Sequence, residues 1–93
     1  MTTSSLMTYC KTSLRLTSDV FDNEVTQLIA EAIADINQAT DSPFNYDDPI
    51  QCGAVAVYCQ ANFGYGDQVA EERYDKMLKK IGLRKIKDLN VEG

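Results

Sequence analysis

The chain contains no histidine and no tryptophan, and its 93 residues include only two prolines, five glycines and three cysteines. Each shortage excludes something. Without histidine, the commonest general base near neutral pH is missing, and so is the commonest metal ligand. Cys10, Cys52 and Cys59 form an odd set with no CxxC spacing, so a zinc site has neither the ligands nor the pattern it requires. If Cys52 and Cys59 share a helix, seven steps of about 1.5 Å hold them about 10.5 Å apart, beyond disulfide reach. All three are therefore expected as buried free thiols. No apolar stretch is long enough for a signal peptide or membrane span, and the opening Met1-Thr-Thr-Ser-Ser-Leu-Met-Thr carries no basic segment. The chain is accordingly expected in the cytoplasm where it is made, with no membrane partner.

Apolar residues make up 44% of the chain and charged residues 25%, the balance of a folded globular protein and not of a disordered one. The length suits one domain with one core and no interdomain cleft. So short a chain buries only about 60 to 65% of its unfolded surface, against roughly 1.5 kcal/mol of conformational entropy for each ordered residue. The lone subunit is therefore expected to be marginally stable. Net charge is -5 and is unevenly spread. Eight carboxylates (Asp19, Asp22, Glu24, Glu31, Asp35, Asp41, Asp47, Asp48) fall between Thr17 and Asp48 with no lysine or arginine among them. The stretch Lys76 to Lys87 reverses this, with Lys76, Lys79, Lys80, Arg84, Lys85 and Lys87 and no acid. An acidic body and a basic end are implied.

Periodicity predicts an all-α protein, a small bundle of four main helices with a variable C-terminal tail. Leu6, Met7, Cys10 and Leu14 recur at helical spacing behind Ser4 and Ser5, either of which can cap a short helix 1 over about Ser5 to Ser13. Val25, Leu28, Ile29, Ala32, Ile33 and Ile36 follow the i, i+3, i+4, i+7, i+8, i+11 pattern of a long amphipathic helix 2 between Val20 and Thr40. Ser18 or Asp19 can cap it, and Asp41-Ser42-Pro43 stops it. In the following loop, Phe44 and Tyr46 are expected to cover an edge of the core. Asp48-Pro49-Ile50-Gln51 reads as a helix start, with aspartate as cap, proline first and glutamine three residues after the cap. Helix 3, from there to about Asn62, is apolar on nearly every face and built of small residues, which places it at the centre. Phe63-Gly64-Tyr65-Gly66-Asp67 breaks the chain, and helix 4 follows from about Gln68 to Ile81, with Tyr74, Met77, Leu78 and Ile81 on one face and Gly82 suited to its C' position. The tail from Arg84 to Gly93 fits a short helix, an extended arm or a segment without order of its own.

Catalytic constellations are hard to find. Glu31 and Asp35 lie one turn apart on the expected polar face of helix 2, where solvation explains them. Asp47 and Asp48 are explained as caps. Gly64-Tyr65-Gly66-Asp67 lacks the lysine and hydroxyl of a phosphate-binding loop, and nothing resembles a calcium loop or a nucleophile elbow. No enzymatic activity and no cofactor is expected. The basic cluster suggests DNA binding, and helices 3 and 4 about their turn imitate a helix-turn-helix, yet the second of them opens with Asp67, Glu71 and Glu72, which phosphate would repel. An acyl carrier would need Asp-Ser-Leu opening a helix, whereas Asp41-Ser42 is followed by Pro43 in a loop.

The stretch Ala61-Asn-Phe-Gly-Tyr-Gly-Asp67, followed by Glu71-Glu-Arg-Tyr-Asp-Lys-Met-Leu78, resembles the head-tail connector (adaptor) proteins of tailed bacteriophages, also labelled DNA-packaging proteins. Members carry a similar Ala-Asn-Phe-Gly-Tyr stretch ending the third helix, then an acid-Arg-aromatic pattern and a Met-Leu pair in the fourth. Leu14-Arg-Leu16, the acidic turn Ser18 to Glu24 and Leu28 to Ile36 match the family's second-helix region in pattern, so the resemblance spans roughly Leu6 to Leu83. It implies a helical subunit that forms a ring, usually with the portal's twelvefold symmetry, beneath the portal after DNA packaging. Such a ring extends the channel for double-stranded DNA, passed without sequence specificity, and docks the stopper or tail-completion protein. Such subunits can stay monomeric until the portal presents a template. The location implied is the bacterial cytoplasm during assembly and then the virion. The expected contacts are Glu31 and Asp35 on the acidic face, facing a neighbour or lining the channel, and Lys76, Lys79, Lys80, Arg84, Lys85 and Lys87 on the basic region, facing a neighbour or the portal. Phe63 and Tyr65 are candidate contacts too, although both rings can instead close the turn onto the core. The other function in view is a small phage regulator that binds protein or nucleic acid.

Overall fold

A helix surrounded on nearly every side needs small side chains so that neighbouring axes can approach, and α3 (Pro49–Asn62) meets that need. In the computed structural model, which describes the backbone of residues 1–92 and the side chains of residues 1–82, α3 packs against α1 (Thr3–Ser13), α2 (Asp22–Thr40) and α4 (Gln68–Glu92). Among the described residues, α1 and α4 do not pack on each other. The fold is all-α, with no strand among the described residues. Cys52, Ala54, Val55, Ala56, Val57, Cys59 and Ala61 of α3 are all buried. Gly53 lies beside α4, where a Cβ would make ordinary contact with the methyl group of Met77 at 3.7 Å.

The other helices contribute the stripes that the periodicity predicts. Leu6 and Cys10 of α1, Val25, Leu28, Ile29, Ala32 and Ile36 of α2, and Ala70, Tyr74 and Ile81 of α4 join α3 in one buried cluster. Met7, Leu14, Ile33, Met77 and Leu78 pack at its margin, as do Phe44 and Tyr46, whose rings meet edge to face 4.9 Å apart over the α2–α3 connection. The three cysteines are free and buried. The thiol of Cys10 is held well above the usual range, first by its hydrogen bond with Cys59 and then by burial. Burial likewise raises that of Cys52, which donates to the Tyr46 carbonyl at 3.3 Å.

Helix ends depart from expectation at several points. α1 is capped by Thr2, whose hydroxyl accepts from the Ser5 amide at 3.1 Å, and not by Ser4 or Ser5. It closes on Arg15 at φ 59°, with the Leu16 amide bonded to the Lys11 carbonyl at 2.9 Å and the Arg15 amide to the Thr12 carbonyl at 3.0 Å, a Schellman arrangement on a non-glycine residue. α2 starts at Asp22 without a side-chain cap, so Ser18 and Asp19 do not fill that role. Asp41 ends it in the left-handed region at φ 53°. Asp48 caps α3 by accepting from the Ile50 amide at 2.9 Å, but Gln51 turns away from the cap and accepts from the Asn45 amide at 2.9 Å, bracing the loop instead. Gly82 does not terminate α4, which runs on to Glu92. One helical glycine costs only about 1 kcal/mol relative to alanine. Gly82 also lies against the last turn of α2, where a Cβ would stand 3.7 Å from the Ala39 carbonyl oxygen. The backbone of the tail is thus helical to Glu92, while the side chains of Arg84, Lys85 and Lys87 lie outside the described residues.

The α3–α4 turn uses two left-handed glycines, Gly64 at φ 63° and Gly66 at φ 78°. They differ in surroundings: a Cβ on Gly64 would meet nothing within 4 Å, whereas one on Gly66 would stand 2.7 Å from the Ala61 carbonyl oxygen. Gly64→Ala should therefore cost about 1 kcal/mol of left-handed strain. Gly66→Ala adds a backbone clash and should cost roughly 2 to 4 kcal/mol. Urea unfolding of the two variants checks the order, and equal losses would contradict it.

Candidate functional site

The polar side of α2 is where a solvated acidic face is expected, and it is partly occupied from within the molecule. Leu28, Ala32 and Ile36 turn one side of α2 into the core. Glu31 and Asp35, one turn apart, border that side. Tyr58 of α3 donates its hydroxyl to Glu31 Oε1 at 2.9 Å, and Tyr74 of α4 donates to Asp35 Oδ2 at 2.8 Å. The two phenol rings meet edge to face with centroids 5.1 Å apart. One face of α2 thus fastens both α3 and α4. Burial, then the hydrogen bond to Glu31, pushes the Tyr58 phenol up to about 12. Burial, then the hydrogen bond to Asp35, pushes that of the more enclosed Tyr74 higher still. Solvation alone therefore does not account for Glu31 and Asp35. The residues that sequence reasoning missed here are Tyr58 and Tyr74, which lie 27 and 39 positions from their carboxylates and so leave no local signal.

Between α1 and α2 a groove of about 440 Å³ is lined by Met7, Lys11, Asp22, Thr26 and Ile29 among others. Its charges answer each other, since Lys11 Nζ lies 2.7 Å from Asp22 Oδ1. The groove is accordingly amphipathic and carries no net charge from this pair.

At the end of the bundle where the α1–α2 and α3–α4 connections meet, the apolar residues divide. Phe63 is half-buried and packs edge to face on Phe21 at 5.3 Å, closing the turn onto the core as one of the two expectations for it has it. Tyr65 does not follow, because its ring is fully exposed at 110%. The left-handed backbone on either side, at Gly64 and Gly66, carries it outward. Val20 and Val69, each 75% exposed, and Phe21, 43% exposed, share this end. Sequence reasoning passed over these three, although Val69 could have been found as an apolar residue off the buried face of α4.

The basic residues are placed as a solvent-facing strip. Lys76, Lys79 and Lys80 are exposed on α4. Glu72 and Asp75 precede Lys76 and Lys79 by one turn, which tempers the basic character of the strip. The described residues hold none of these lysines within ion-pairing distance of an acid, and the structure does not bring them to Glu31 or Asp35 within one chain. Among the described residues, no group of three or more acids and cysteines is placed to hold a metal ion, and no helix is long and apolar enough to cross a membrane. No family model, curated protein or solved structure matches the chain.

The two tyrosine latches should differ in weight. Tyr74→Phe keeps the ring contact but strips Asp35 of a partly buried donor, an expected loss of about 1 to 3 kcal/mol. Tyr58→Phe, facing the exposed Glu31, should cost less than about 1 kcal/mol. The sign of the pH dependence follows from the raised phenol of Tyr58. Its contribution is complete below the ordinary value of 10.0 and is lost as pH rises toward about 12. Unfolding free energy measured through that window should fall less steeply in Tyr58→Phe than in the unsubstituted chain; identical slopes would refute the latch.

Proposed function

We propose that this chain is a structural subunit of a tailed bacteriophage, a head-tail connector (adaptor) that forms a ring under the portal, extends the DNA channel and docks the stopper or tail. The supporting observation is that one subunit carries two unlike surfaces, an exposed apolar end with Asp19, Asp67, Glu71 and Glu72 in or beside its two connections and an exposed strip of Lys76, Lys79 and Lys80 along the middle of α4. A ring is made by heterologous contacts, which need unlike faces on every copy, and opposite charge both orients and accelerates their meeting.

The segment that resembles the connector family has a consistent structural use. Ala61 is buried, Phe63 packs on Phe21, Gly64 and Gly66 take left-handed backbone, Asp67 accepts from the Val69 amide at 2.9 Å, and Tyr74 is buried beside half-buried Met77 and Leu78. A phrase that defines a turn and the start of the next helix is what related subunits with a common frame would retain. In this function the chain assembles in the host cytoplasm and then stays at the head-tail interface. It performs no catalysis, and an acidic channel wall lets duplex DNA slide without adhering.

Mixing the purified full chain with its cognate portal and imaging the product by electron microscopy is the decisive experiment. A ring of additional density under the portal is expected. A chain that ignores the portal yet binds nonspecific duplex DNA at moderate salt would overturn the assignment in favour of a small regulator.

A further inference from the structure

Two of the three cysteines have no part in the surfaces described above, yet the fold sets them against each other. Cys10 of α1 and Cys59 of α3 are both 0% exposed within the one buried cluster. They are free thiols joined by a hydrogen bond. A second contact fixes the two helices at the same level, because Gln60, next to Cys59, donates its amide to the carbonyl of Ser13, about one turn beyond Cys10, at 3.3 Å. Cys52 is kept apart from this pair: its thiol donates to the Tyr46 carbonyl at 3.3 Å, and seven helical steps of about 1.5 Å set it about 10.5 Å from Cys59 along α3. A single buried thiol packs as a small apolar group. Two that face each other from different helices can also be joined.

We infer that Cys10 and Cys59 form a redox-dependent staple, a dithiol in a reducing compartment and a disulfide in an oxidising one, that fastens α1 to α3; this goes beyond the connector function and does not depend on it. The oxidant is a small-molecule disulfide such as oxidised glutathione. The thiolate of one cysteine attacks a sulfur of that disulfide and expels the first glutathione thiolate. The thiolate of the other cysteine then attacks the protein-bound sulfur, forms the bond between Cys10 and Cys59, and expels the second glutathione thiolate. Two cysteine thiols are oxidised, one external disulfide is reduced to two thiols, and the two protons pass through solvent to the departing thiolates. Burial keeps the reagent out while the helices are docked, so the reaction proceeds through openings of the short helix α1. The bond closes the chain between positions 10 and 59 into a loop, which takes freedom from the unfolded state. It also fixes the helix that supplies Met7 and Lys11 to the groove against α2.

Refolding the full chain from urea with oxidised glutathione in excess tests the pairing without burial limiting access. After quenching with an alkylating reagent and digestion without reductant, mass spectrometry should find Cys10 joined to Cys59 and Cys52 alkylated. The oxidised chain should melt higher than the reduced one by on the order of ten degrees, and dithiothreitol should reverse the gain. Cys52→Ala should keep both the link and the gain, and Cys59→Ala should fold and show neither. A link through Cys52, glutathione left on Cys10 or Cys59 with no bond between them, or an oxidised chain that melts no higher than the reduced one would each overturn the staple in favour of thiols that serve packing alone.

Discussion

The burial of α3 on nearly all sides is the constraint from which the rest of the structure follows. A helix in that position exposes little backbone to water and must let three others approach it, so its buried side chains are drawn from alanine, valine and cysteine. The larger side chains come from the surrounding helices: Leu6 from α1, Leu28 and Ile36 from α2, Tyr74 and Ile81 from α4. A small domain has little stability to spare, and a core whose central rod is already lined with small groups has little room for added volume.

Packing so close to the centre also fixes the polar groups. The two phenols that reach the margin of the core need acceptors, and α2 provides them at adjacent turns through Glu31 and Asp35. The carboxylates thereby serve the register of three helices. The free thiols of Cys10 and Cys59 answer the same requirement through the hydrogen bond between them, α1 to α3. The exposed apolar groups are found instead in the connections at one end of the bundle, where the left-handed backbone at Gly64 and Gly66 turns Tyr65 outward and Phe21 rests on Phe63. Lys76, Lys79 and Lys80 of α4 are likewise left in solvent by the body of the bundle.

Most of the fold could be read from the chain because its signals are short-range. The i, i+3, i+4 spacing of α2, the Asp48-Pro49 start of α3 and the paired glycines at 64 and 66 each act within about one helical turn, and each has its expected place in the structure. The errors arose where competing local options were nearly equal. Thr2 displaced Ser4 and Ser5 as a cap, Gln51 found a loop amide in place of the helix start, and α4 passed through Gly82 because one glycine is too small a penalty to stop a helix.

The candidate surfaces divide along the same line. The segregation of acid from base, the small-residue core helix and the exposed lysines of α4 were determined by the sequence alone, since charge and apolar periodicity are properties of residues and their spacing. Only the tertiary structure decided that Glu31 and Asp35 hold tyrosines and that Phe63 and Tyr65 part company. Those outcomes depend on which helices meet, over separations of 27 and 39 residues for the tyrosine latches, and on how a left-handed turn aims a ring.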